Sequence, residues 1–138
     1  MPINLKKYPL TTVLIAVILV VCLIPIPETP LSSISMIDKW THLVMYGGTF
    51  GVMWWEWGRR RQGSIRLMLR EMFSAHCLLW GWLLPVVMSG LIELAQAYCT
   101  GGNRSGDWLD FAANTLGVCI ALMIGVMIVW VKRWLKRL

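Results

Sequence analysis

The chain alternates between long apolar runs and short polar breaks, and most of its ionisable residues fall at the ends of those runs. Four hydrophobic stretches stand out, at residues 9–24, 40–57, 75–98 and 109–131. Each approaches the length of about 20 residues that a helix needs to cross a hydrocarbon core about 30 Å thick. The pattern predicts an all-α membrane protein: one domain over residues 1–138, a four-transmembrane-helix bundle with helices at about 9–25, 38–57, 75–98 and 108–131. Between the second and third stretches, Ile65, Met68, Leu69, Met72 and Phe73 recur at helical spacing with Arg66 and Arg70 off that face. This segment reads either as a basic amphipathic helix lying at the membrane interface or as an extension of the third helix. Pro85 predicts a kink in the third helix.

Composition supports the same class. The chain is 57% hydrophobic and 14% charged over 138 residues, and a soluble domain of this size has no interior large enough for that much apolar surface. Charge then orients the bundle. All 13 Lys and Arg except Lys39 and Arg104 fall before the first stretch, between the second and third, or after the fourth. The positive-inside rule therefore puts both termini in the cytoplasm. This rule and contact with anionic membrane lipids account for the net charge of +6, so no nucleic-acid partner is needed. Cys22, Cys77, Cys99 and Cys119 follow no zinc spacing, and three of them lie inside apolar runs, as small buried hydrophobes do. Gly47 and Gly51 form one small-residue pair, and Ala113, Gly117, Ala121 and Gly125 form a stripe at four-residue spacing. Such faces join helices within a chain or between copies, which leaves a homo-oligomer open.

The remaining polar residues collect at one level. Asp38, Lys39, His42 and Tyr46 open the second helix; Glu93 and Gln96 close the third; Arg104, Asp107, Asp110 and Asn114 lead into the fourth. Ser35-x-x-Asp38 and Asp107-x-x-Asp110 have the spacing of capping boxes, and carboxylates in a first turn complement the helix dipole. Glu93 escapes that account, because it sits near a helix C-terminus, where the dipole disfavours an anion. Ionisable groups at membrane depth are costly and face inward or towards water. Three helices thus aim polar faces at one point on the outer side.

This ordered set, Asp38-Lys39-x-x-His42-x-x-x-Tyr46, Glu93-x-x-Gln96, Arg104 and Asp107-x-x-Asp110-x-x-x-Asn114-x-x-Gly117, resembles the VanZ-like membrane proteins. The match runs from Asp38 to about Gly117. The resemblance implies a bacterial cell-envelope protein, whose named relative is associated with resistance to the glycopeptide teicoplanin. It implies no particular reaction.

The residue types suggest what the layer can do. His42, Glu93, Asp110 and Asp38 are the candidate catalytic groups, since a histidine beside carboxylates suits general acid–base work. Lys39, Tyr46, Gln96, Arg104, Asp107 and Asn114 are the candidate binding groups, with Arg104 among glycines before a helix N-terminus as an anion cradle. His42, Glu93, Asp107 and Asp110 also suit a divalent cation, although no specific metal motif is present. The reading that follows is an outward-facing acidic site that binds, and on one branch processes, an anionic lipid-linked envelope precursor. A non-catalytic binder of lipid or glycopeptide antibiotic is the alternative. A small transporter is the weaker one, because the inner half offers little beyond Thr49, Ser89 and Glu56.

Overall fold

The computed structural model describes residues 5–24, 36–99 and 106–135, and all its regular elements there are helical. A 3-10 turn at Leu5–Lys7 leads into α1 (Pro9–Leu23). Then come α2 (Ile37–Arg60), the short α3 (Ile65–Met72), α4 (Ala75–Cys99) and α5 (Trp108–Leu135). α4 and α5, at 25 and 28 residues, are long and apolar enough to cross a membrane; α1 is apolar but shorter. Only 33% of the apolar window of each long helix is buried inside the protein. Val13, Val17 and Val20 of α1, Leu91 and Leu94 of α4, and Met123, Met127 and Trp130 of α5 are all exposed. An apolar surface of that extent fits lipid contact far better than contact with water.

α2 is less apolar because it is the central helix. Its buried residues include His42, Tyr46, Thr49, Trp54, Glu56 and Trp57, so its polar groups are placed among protein partners. It packs most extensively against α5. The paired positions 42 and 114, 47 and 117, and 54 and 125 rise together, so α2 and α5 run parallel. α1 and α4 run the other way, with Gln96 beside Cys22 and Glu93 beside Asn114.

Small residues set the α2–α5 distance. A Cβ at Gly117 would lie 2.6 Å from the Leu43 carbonyl oxygen and 2.9 Å from the Gly47 nitrogen. The small-residue faces at Gly47, Gly117, Ala121 and Gly125 are therefore used inside the chain, where all four are buried. Further along, the buried Trp54 indole slots between Gly81 of α4 and Gly125 of α5, 2.6 Å and 2.9 Å from where their Cβ atoms would be. Gly81 lies in a π-helical turn, Leu79–Leu83, that interrupts α4 just before Pro85. Pro85 has no N–H for the Gly81 carbonyl, and a widened turn is one way a helix absorbs that loss.

The amphipathic segment after α2 forms a separate helix. α3 starts at Ser64, whose hydroxyl accepts from the Leu67 N–H, and stops at Phe73; Ser74 then caps α4 through the Cys77 N–H. Its Met68 and Met72 are buried against the bundle, while Leu67 and Phe73 are exposed. At the same end, the Glu56 carboxylate accepts from the Leu10 N–H at 3.3 Å, the Thr11 N–H at 3.1 Å and the Thr11 hydroxyl at 2.6 Å. It thereby satisfies the unpaired amides that begin α1.

Candidate functional site

The polar layer lies where the first turns of α2 and α5 meet the last turns of α4. Asp38 and Lys39 enter from α2, Asp107 precedes α5, and Asp110 sits in its first turn. The Lys39 ammonium is the hub. It donates to Asp107 Oδ2 at 2.7 Å, lies 2.6 Å from Asp110 Oδ1 and 3.6 Å from Asp38 Oδ2. The other oxygen of Asp107 works as a cap, Oδ1 accepting from the Leu109 N–H at 3.0 Å. One oxygen of Asp107 thus caps α5 and the other binds Lys39. The hydrogen bond from Lys39, helped by the Leu109 N–H, keeps the Asp107 carboxyl below its usual range.

Beneath the hub runs a buried relay. His42 Nδ1 meets Asn114 Oδ1 at 3.0 Å, and Asn114 Nδ2 donates to Glu93 Oε1 at 3.1 Å. The Asp107 backbone N–H donates to Glu93 Oε2 at 3.3 Å. Glu93 accepts at both oxygens, and this fixes the order. Only the amide NH2 of Asn114 can face a carboxylate, so its carbonyl must face His42, and Nδ1 of His42 must carry the proton. In the neutral ring Nε2 is then the free acceptor. It points to Asp38 Oδ1 at 3.8 Å and Asp110 Oδ2 at 3.9 Å. The arrangement is that of a base oriented on one side by Asn114 and Glu93 and flanked on the other by carboxylates that stabilise its protonated form. Asp38 is the exposed member, with 53% of its side chain accessible, and marks the open rim.

The close approach of Gly47 and Gly117 makes this geometry attainable. It lies one turn below His42 and Asn114 and draws the two helices together until those side chains touch. A cavity of about 480 Å³ opens beside the relay, between α4 and α5. Leu91, Leu94, Trp108 and Phe111 give it apolar walls, and Glu93 and Asp107 lie at its polar end. Glu93 therefore borders both the cavity and the relay. The apolar lining carries no polar signal in the sequence, and helix-face counting does not find it, because residues two apart such as Leu91 and Glu93 do not share a helix face.

Not every candidate joins the layer. Gln96 donates to the Cys22 carbonyl at 2.9 Å, which ties α4 to the last turn of α1. Tyr46 is fully buried, and its hydroxyl has no hydrogen-bond partner among the described residues. Arg104 and Ser35 lie outside the described residues. For a metal, Asp38, His42 and Asp110 offer one ligand atom each within 4.8 Å of one another. The Lys39 ammonium already sits against two of these three carboxyl and imidazole donors, so in this arrangement the lysine supplies the positive charge a cation would bring. A divalent ion would have to displace it.

Comparison of the chain with protein-family models, with curated proteins and with solved structures gives no match.

Proposed function

We propose that the chain is a four-span protein of the bacterial cytoplasmic membrane, with both termini inside. In this reading its outward end binds a lipid-linked cell-envelope molecule and carries acid–base chemistry on the head group. The observation that supports it most is the open groove between α4 and α5, apolar along its walls and with Glu93 and Asp107 at its polar end. Such a shape suits an amphiphile, with the chain against Leu91, Leu94 and Phe111 and the head against the carboxylates. The described layer carries Asp38, Glu93, Asp107 and Asp110 against one lysine. Glu93 and Asp107 therefore take hydroxyl or amine donors of the head, and an anionic group is left to Lys39 and, by its place in the sequence, Arg104. His42 Nε2 is the base, positioned by Asn114 and Glu93. The resemblance adds glycopeptide susceptibility as a cellular readout.

The test is binding of a polyprenyl-phosphate-linked saccharide to the full chain in detergent, with Leu94→Trp to fill the cavity and His42→Gln to remove the base. The reading expects Leu94→Trp to abolish binding, and His42→Gln to keep binding while losing any turnover or resistance phenotype. Undiminished binding by Leu94→Trp would remove the cavity from the reading. Wild-type phenotype in His42→Gln would leave a non-catalytic binder.

A further inference from the structure

At the end of the bundle opposite the polar layer, a second cavity of about 380 Å³ lies between α3, α5 and the turn after α2. Arg61, Arg66, Lys132 and Arg133 line it together with Ser64, and Ile65, Met68 and Val129 form its apolar part. Two of these cations have structural partners. Arg61 pairs with Glu71 at 2.6 Å, and Lys132 donates to the carbonyls of Gly58 and, at 3.1 Å, Arg61, closing the end of α2. Arg66 and Arg133 have no carboxylate partner among the described residues, though both border the same space. α3 begins at this cavity, so its N-terminal amides add to the positive field. Four cations converge on one hollow, and Glu71 pairs with one of them, Arg61.

We propose that this hollow is a binding site for a phosphate group, and that the phosphate belongs to the head of an anionic phospholipid. Guanidinium groups match phosphate oxygens in pairs, which suits Arg66 and Arg133 as the two principal contacts. The lipid source follows from the exposed side chains of the two helices that form the hollow. Leu67, Phe73, Trp130 and Trp134 are exposed at the same end, as aromatic and apolar side chains are at a headgroup boundary. A basic hollow with an apolar floor, set between the short α3 and the end of the long α5, fits the junction of a charged head and its acyl chains. This site is independent of the proposed outward chemistry; it rests on the membrane reading alone.

The experiment is thermal unfolding of the full chain in a neutral detergent with added phosphatidylglycerol, phosphatidylcholine or inorganic phosphate. Wild type should melt higher with phosphatidylglycerol than with the same amount of phosphatidylcholine. The double variant Arg66→Gln/Arg133→Gln should melt like wild type without lipid, yet need at least ten times more phosphatidylglycerol for the same rise. The control Lys6→Gln/Arg59→Gln removes two cations outside the hollow and should respond as wild type does. Equal effects of the two lipids, or equal losses in the two double variants, would overturn the site in favour of diffuse surface charge. A rise with inorganic phosphate at matched phosphate concentration would overturn the lipid assignment and make a free phosphate compound the ligand.

Discussion

Asn114 is the residue whose removal tests the relay most directly. It is fully buried and bonds His42 with one end of its amide and Glu93 with the other. Asn114→Leu leaves both partners buried without it, at about 1–3 kcal/mol for each group left unsatisfied. Glu93→Gln is milder. Its amide oxygen can still accept from Asn114, but its NH2 then faces the Asp107 N–H, so one hydrogen bond is lost, at about 0.5–1.5 kcal/mol. Melting in detergent should therefore rank wild type, Glu93→Gln and Asn114→Leu in falling order. An Asn114→Leu protein as stable as wild type would mean the relay does not form. Asp107 gives a pH test. Its folded-state carboxyl lies below the usual range because Lys39 donates to it. A depressed carboxyl stabilises the fold above its unfolded value, about 3.9, and that contribution disappears as pH falls through the folded value. Wild-type melting temperature should drop below about pH 4, and Asp107→Asn should flatten part of that acid limb. Identical acid limbs would show that the Lys39 contact contributes nothing. The sequence placed Glu93, His42 and Asn114 at one depth by counting turns. It carried no sign that Asn114 stands between the other two, because which side chains touch across helices depends on the axial rotation of each helix.

Among the helices, the α2–α5 contact carries the clearest expectation. Gly117→Ala puts a methyl group against the Leu43 carbonyl and the Gly47 nitrogen, both backbone atoms that cannot swing away. Overpacking of this kind costs about 1–3 kcal/mol, and the forced separation also parts His42 from Asn114. Gly48 is the control, with no atom within 4 Å of its would-be Cβ. Gly48→Ala should raise stability by about 0.5–1 kcal/mol through helix propensity. Similar losses from both would refute the close-approach account. A second expectation concerns α1, the shortest of the apolar helices. Glu56→Leu strands the Leu10 and Thr11 amides and should loosen α1, seen as faster exchange of those two amides. Unchanged exchange would mean that apolar packing alone docks α1. The small-residue stripe was plain in the sequence, yet its partner was not, since such a face serves a neighbouring helix and a second copy equally well. Glu56 read only as a sparse polar group, because its partners are amides 45 and 46 residues away.

For the whole molecule, the distribution of Lys and Arg predicts the topology. Reporter fusions after Gly63 and at Leu138 should report the cytoplasmic side, and a fusion at Gly102 the outside. An outside signal at Leu138 would sink the four-span reading and, with it, the outward placement of the polar layer. The parallel run of α2 and α5 fits this scheme, as both begin at the polar layer and end in clusters of basic residues.

The apolar runs and their spacing determined by themselves that the chain is helical, and the grouping of polar residues at run ends determined that those residues share one level. Both are local properties: a run of about 20 apolar residues has few alternatives to a helix in lipid, and depth along a helix is a matter of counting at about 1.5 Å per residue. Tertiary structure decided the rest. It made Lys39 the common partner of Asp107 and Asp110, set Gln96 to clasp α1 instead of joining the layer, and opened the apolar cavity beside Glu93. Those outcomes depend on how each helix is rotated and how closely it packs, and these follow from contacts such as Gly47 with Gly117 and Trp54 with Gly81 and Gly125, between residues too far apart in the chain for any local pattern to join.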